Sequence, residues 1–278
     1  MKTDVRHASH PEAVRAYDTE TLRRHFLVES VFESGDIRLT YSHYDRMVIG
    51  GAMPAGSALA LTAPEAIGQE TFLAERELGA LNIGGAGRIV VDGKVYELSR
   101  YDCLYIGKGA ADIRLESEDA GNPAKFYLVS TPAHATHPTV LLKREEVRHL
   151  TPGDTETSNK RSIYQYVHPE VCQSCQLTMG LTMLEPGNVW NTMPAHTHDR
   201  RMEAYLYFDI DPAQRVFHFM GEPQQTRHMV VANEQAVISP PWSIHSGAGT
   251  RNYSFIWAMA GDNKSFTDMD HIAISDLR

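Results

Sequence analysis

The stretch GNVWNTMPAHTHDRRMEAYLYF, residues 187–208, decides the reading of the whole chain. Alternate residues of an extended strand share a face, so His196 and His198 project their imidazoles the same way. Four residues then pass before Glu203 opens the apolar run EAYLYF, a spacing that allows a turn and a return strand beside the histidine pair. A third imidazole is expected from farther along, and SPPWSIHSG at 239–247 supplies His245 after an apolar strand and a proline turn. Three imidazoles and a carboxylate form a borderline-to-hard ligand set, suited to Zn, Fe, Mn, Co or Ni. For the other histidines singled out, His43, His134, His137, His168, His218, His228 and His271, an ordinary polar or core role is expected.

Outside this segment the chain is dense in short β-type runs, among them RIVV, CLYI, KFYLVS, AVIS and YSFIWAMA, separated by turn-formers such as GGAG, VDG, EPGN and SPP. That rhythm predicts an all-β sandwich or barrel. Helical periodicity is confined to 11–26 and 64–68. The polar, proline-punctuated stretch 131–160 is the expected connection between two halves, 1–145 and 146–278. Those halves look like copies of one barrel. Ungapped matches of two segments, each slid separately, set Glu70, Phe72 and Glu77 against His196, His198 and Glu203, and Asp112 against His245. Phenylalanine cannot ligate a metal, so the first half is expected to keep the barrel without the ion. A carboxylate cation site from Glu70, Glu77 and Asp112 is the alternative.

The formal net charge of -9 over 278 residues disfavours nucleic acid and anionic membrane surfaces, which are attracted by a concentrated positive field. It leaves room for a small anionic substrate. The amino-terminal residues carry no apolar run after their basic residues, and no stretch is apolar enough to span a bilayer. With Cys103, Cys172 and Cys175 as the only cysteines, a reducing cytoplasm is the expected compartment. The Cys172–Cys175 CxxC has no second ligand pair near it and is given no function.

The HxHxxxxE run with a downstream PxxxxH resembles the two motifs of the cupin superfamily. Trp242 stands where that pattern has glycine and Gly249 where it has asparagine, and neither departure removes a ligand. More narrowly, FLVESVF, YSHYDRMVIGGAMP, ERELGALNIGGAG, TSNKRSIYQYV, the 175–208 segment, NEQAVISPPWSIHSGAGT and DMDHIAISDLR resemble the 5-keto-4-deoxyuronate isomerase family over nearly the whole length. The resemblance implies tandem cupin barrels (double-stranded β-helix, jelly-roll) with a few short helices. It also implies one zinc ion per chain, held in the second cupin by His196, His198, Glu203 and His245, and a homo-hexamer.

The implied reaction converts 5-dehydro-4-deoxy-D-glucuronate to 3-deoxy-D-glycero-2,5-hexodiulosonate in the breakdown of pectin-type uronates. A metal with an open position suits such an aldose-ketose isomerisation, because it can polarise a carbonyl. Arg200 and Arg201 are candidates for the substrate carboxylate. Trp190, Asn191 and Trp242 are candidate pocket residues, with core packing the competing role for the tryptophans. No residue stands out as the general base. The same ligands would also serve a cupin dioxygenase using Fe or Cu, a non-catalytic sugar-binding bicupin, or a 5-deoxyglucuronate isomerase.

Overall fold

The computed structural model describes residues 1–278 and is built mostly of strands. One seven-stranded sheet runs in the order Lys2–Arg6, Ile37–Ser42, Val48–Ala52, Phe126–Pro132, Arg76–Asn82, Cys103–Ile106, Val140–Leu142. A second runs Arg148–Leu150, Arg161–Val167, Thr178–Leu184, Ser254–Gly261, Arg201–Phe208, Gln235–Ser239, Leu27–Val28. Each plan is repeated with a four-stranded sheet, one containing Gly87–Val91 and Ile113–Ser117, the other containing Val216–Glu222 and Gln225–Val231. The tandem cupin architecture expected from sequence is therefore present, and the strands that begin near Glu77 and Glu203 hold the same fifth place in their sheets.

The chain divides into two compact units. The first comprises Met1–Arg6, Ser30–Arg148 and Gln165–Met179, and the second His7–Glu29, His149–Tyr164 and Gly180–Arg278. The chain passes from one unit to the other at 6/7, 29/30, 148/149, 164/165 and 179/180. In the first unit, inward residues of both sheets share one core, with Leu39, Leu78 and Leu128 from the larger sheet meeting Ile89, Val91 and Leu115 from the smaller. A fully buried leucine of this kind contributes about 1.5–3 kcal/mol.

The helical stretch expected over 11–26 is two helices, Pro11–Val14 and Thr19–Phe26, with the break caused by a new N-cap: the Asp18 carboxylate accepts the Thr21 N–H at 2.8 Å. At 64–68 the chain makes a single 3-10 turn, Glu65–Ile67, closed by Gly68 at φ 66°. No helix is long and apolar enough to cross a membrane.

The second unit positions the histidine segment through three local devices. Short strand His196–Thr197 pairs with Asp270–His271, setting His196 opposite His271. A tight turn follows, in which the Arg201 N–H donates to the His198 carbonyl at 3.0 Å, and Arg201–Phe208 then returns as a strand. Within the sheet Glu203 lies between Ser239 and Met259. His245 is delivered by a turn in which the Ser243 N–H donates to the Pro240 carbonyl at 3.0 Å, just before strand Ser246–Gly249.

Candidate metal centre

His196, His198, Glu203 and His245 are all buried, and one ligand atom from each lies within 4.8 Å of the others. The Nε2 atoms of His245 and His196 stand 2.9 Å apart. The Glu203 Oε2 lies 2.9 Å from His245 Nε2 and 3.2 Å from His198 Nε2. Donor atoms bound to one ion at about 2.1 Å stand roughly 3 Å apart when adjacent and about 4.2 Å when opposite. The three separations of 2.9, 2.9 and 3.2 Å are those of adjacent donors.

The tautomer of His198 supports the same use. Its Nδ1 sits 2.8 Å from the Arg201 carbonyl oxygen, which can only accept, so Nδ1 carries a proton and Nε2, 3.2 Å from the Glu203 carboxylate, is the atom turned to the cluster. Burial and the neighbouring His245 hold the His196 imidazole far below its usual range, to about 2, which keeps the ring neutral, the form that can ligate a metal. Burial pushes the Glu203 carboxyl up, but His245 and His198 outweigh it and the net direction is down. For His198 burial pulls the imidazole down and the hydrogen bond with Glu203 outweighs that, so the net direction is up. A buried carboxylate among imidazoles thus draws positive charge toward itself, and a divalent cation at the same point meets that demand.

A cavity of about 500 Å³ opens on His196 and Glu203. Phe255, Trp257, Met259, Phe266 and Met269 supply its apolar wall, and Arg161, Thr182, Thr192, Tyr205 and His271 its polar groups. Few polar groups on an apolar wall are the usual make-up of a small-molecule site. The Tyr205 hydroxyl meets Thr192 Oγ1 at 3.1 Å, and burial pushes the phenol well above its ordinary value, so it stays protonated.

The structure places the other sequence candidates elsewhere. Arg201 is fully buried, donating through Nη1 to the Ser265 carbonyl and through Nη2 to the Asp268 carbonyl, both at 2.7 Å. Arg200 pairs with Asp268 at 2.6 Å and Asp270 at 2.9 Å. These two arginines therefore pin the tail that pairs beside His196. Trp190 stacks on Phe219, with ring centroids 5.7 Å apart. Asn191 is buried and accepts from the Tyr253 hydroxyl at 2.6 Å. Trp242 lines a separate cleft of about 680 Å³ with Arg15, Asp199 and Glu222. None of the five lines the 500 Å³ cavity.

In the first unit Glu77 is fully buried, and its carboxylate accepts five hydrogen bonds from Tyr105, Thr131 and three consecutive backbone amides, Cys175, Gln176 and Leu177. Glu70 and Asp112 are exposed, and Asp112 pairs with Arg114 at 3.1 Å. The carboxylate cation site considered from sequence does not form, because protein donors already occupy the Glu77 oxygens. The CxxC segment, left without a role by sequence, supplies one of these amides, and both of its cysteines are buried free thiols.

The model of the KduI/IolB family matches residues 26–274. The chain is 57% identical over 273 residues, 98% of its length and 99% of the relative's, to 4-deoxy-L-threo-5-hexosulose-uronate ketol-isomerase from Halalkalibacterium halodurans. It is 53% identical over 276 residues to the protein of the same name from Yersinia pseudotuberculosis, covering 99% of both chains. This chain belongs to the KduI/IolB family. It is an isomerase.

Among solved structures, this KduI/IolB member is similar to an IolB-like protein from Salmonella typhimurium, with a TM-score of 0.74 at 17% identity over 89% of this chain and 96% of that one. It is also similar to Bacillus subtilis oxalate decarboxylase in a structure concerned with Mn(II) centers, with a TM-score of 0.54 at 11% identity, covering 79% and 70%. At these identities the likeness is one of fold. In the KduI/IolB chain, the cavity residues that sequence reading passed over are Arg161, Thr182, Tyr205 and Met259, and His271, for which it expected an ordinary role, lines the cavity too. Their signal was faint. Tyr205 and Met259 sit within buried apolar strands, and Arg161 and His271 approach the histidines only through folding.

Proposed function

We propose that this isomerase acts on 5-dehydro-4-deoxy-D-glucuronate, converting it to 3-deoxy-D-glycero-2,5-hexodiulosonate, with one zinc ion held by His196, His198, Glu203 and His245. The observation that carries the reading is the buried convergence of those four side chains, two of which, His196 and Glu203, line a cavity large enough for a six-carbon sugar acid. The names of the most similar relatives agree with it. A divalent ion bound there would supply electrophilic stabilisation for charge developing on the substrate oxygens.

The chain's own residues do the positioning. The Arg201 carbonyl fixes the His198 ring, Glu203 offsets the ion's charge, and the apolar wall excludes water from the reacting carbons. The working form in this reading is a cytoplasmic homo-oligomer, a hexamer by family resemblance. No net electron transfer is needed, so a redox-inert ion suffices. Chelated protein reloaded with zinc under anaerobic conditions is expected to convert the 4-deoxy-5-ketouronate without consuming oxygen. Strict dependence on iron with stoichiometric oxygen uptake would instead establish a dioxygenase. Turnover of 5-deoxyglucuronate alone would move the substrate to the inositol-derived sugar.

A further inference from the structure

A uronate carries a carboxylate at the end of the molecule remote from its aldehyde carbon, and a site that binds it in an apolar cavity needs a cation to receive that charge. The two arginines placed by sequence next to the histidines are committed elsewhere, Arg200 to Asp268 and Asp270 and Arg201 to two backbone carbonyls. Neither lines the 500 Å³ cavity, whose wall holds a single arginine, Arg161, and no lysine.

Arg161 opens the strand Arg161–Val167 and is partly buried. Its side chain makes one hydrogen bond, from Nη1 to the Asn159 carbonyl at 2.8 Å, and its backbone N–H is taken up by the Pro152 carbonyl at 3.1 Å. No carboxylate pairs with it. Nε and Nη2 therefore remain as the edge of the guanidinium that can make the two parallel bonds a carboxylate accepts. Burial depresses this guanidinium below its ordinary value, the sign of a charge that has lost water without gaining a partner. Other arginines of the same unit contrast with it: Arg15 pairs with Glu222 at 2.7 Å, Arg23 with Glu29 at 2.6 Å, and Arg227 donates to the backbone carbonyls of Arg15 and Tyr17.

We infer that Arg161 is the carboxylate-anchoring residue of the site, holding the acid end of the sugar while the other end faces the His196 and Glu203 side of the cavity. This rests on the uronate reading above, but its test does not depend on turnover. The anchoring fixes orientation, since only one end of the substrate carries charge. It also sets specificity, because an uncharged sugar leaves the guanidinium without a partner.

The test is binding of D-glucuronate and of its methyl ester, two probes that differ at the carboxyl, to zinc-loaded wild type, Arg161→Met and Arg161→Lys by titration calorimetry. Wild type is expected to favour the acid over the ester. Arg161→Met should weaken the acid by at least about 30-fold and leave the ester nearly unchanged, and Arg161→Lys should recover part of the difference as a point charge without the fork. In turnover of the ketouronate the same loss should fall on KM rather than kcat. Equal weakening of acid and ester would show that Arg161 only supports the Asn159 loop, and unchanged acid binding would remove it from the site; either overturns the inference. If wild type fails to turn over the ketouronate while the acid-to-ester preference still depends on Arg161, the proposed reaction falls and the anchor stands.

Discussion

Replacing Glu77 with glutamine should cost the protein about 3–5 kcal/mol, although the residue lies in the unit without the imidazole cluster. Oε1 accepts from Thr131 Oγ1 at 3.1 Å and from the amides of Gln176 and Leu177 at 2.7 and 2.8 Å. Oε2 accepts from the Tyr105 hydroxyl and the Cys175 amide, both at 2.7 Å. A glutamine must put its NH2 at the Oε2 position, since at Oε1 it would oppose three donors. There the Tyr105 hydroxyl can turn and accept, but the Cys175 N–H cannot reverse. One buried donor facing another costs about 1–3 kcal/mol, and four bonds that lose their charge assistance cost about 0.5–1 kcal/mol each. Part of this is offset because a neutral amide is less costly to bury than an ion. The net figure is a large fraction of ordinary domain stability, about 5–15 kcal/mol. Urea unfolding followed by circular dichroism, with exposed Glu70→Gln as the control expected within about 0.5 kcal/mol of wild type, measures it. A Glu77→Gln midpoint corresponding to less than about 1 kcal/mol would refute the view that this carboxylate is the pin of its barrel.

His245→Ala should abolish stoichiometric metal binding, measured by elemental analysis after dialysis. Two ions per wild-type chain, with the content unchanged in the variant, would defeat the single-centre assignment. Glu203→Gln should lower metal retention and activity together, because it removes the one anionic ligand, whereas full metal content with no turnover would make Glu203 a base rather than a ligand. The Arg200 hydrogen bonds hold the Asp268 carboxyl down at about 2 from 3.8. A depressed folded value gives stabilisation that is complete above about pH 4 and lost as the pH falls through about 2. Asp268→Asn should therefore raise hydrogen exchange over 263–271 at pH 7, and its difference from wild type, compared at matched pH, should shrink between pH 4 and 2.

Much of this molecule was local enough to be read along the chain. The period-2 runs and their turn residues specify strands, because strand formation and side-chain alternation are properties of a few successive residues. His196, His198 and Glu203 are separated by a strand spacing and one tight turn, so their meeting follows from short-range geometry, and the proline turn before His245 announces the fourth member. The repeated plan was legible from Glu77 and Glu203 for the same reason.

Tertiary structure alone decided which groups surround that cluster. Arg200 and Arg201 are the nearest cations in sequence, yet the return of the tail at 265–270 gives them carbonyls and carboxylates to hold, and Arg161, about 35 residues upstream of His196, takes the place on the cavity wall. The fate of Glu77 was equally hidden. It depends on three amides almost a hundred residues away, whose donors face its carboxylate only once both segments have packed. A side chain's type states what it can bond to, and long-range packing determines which partner reaches it first.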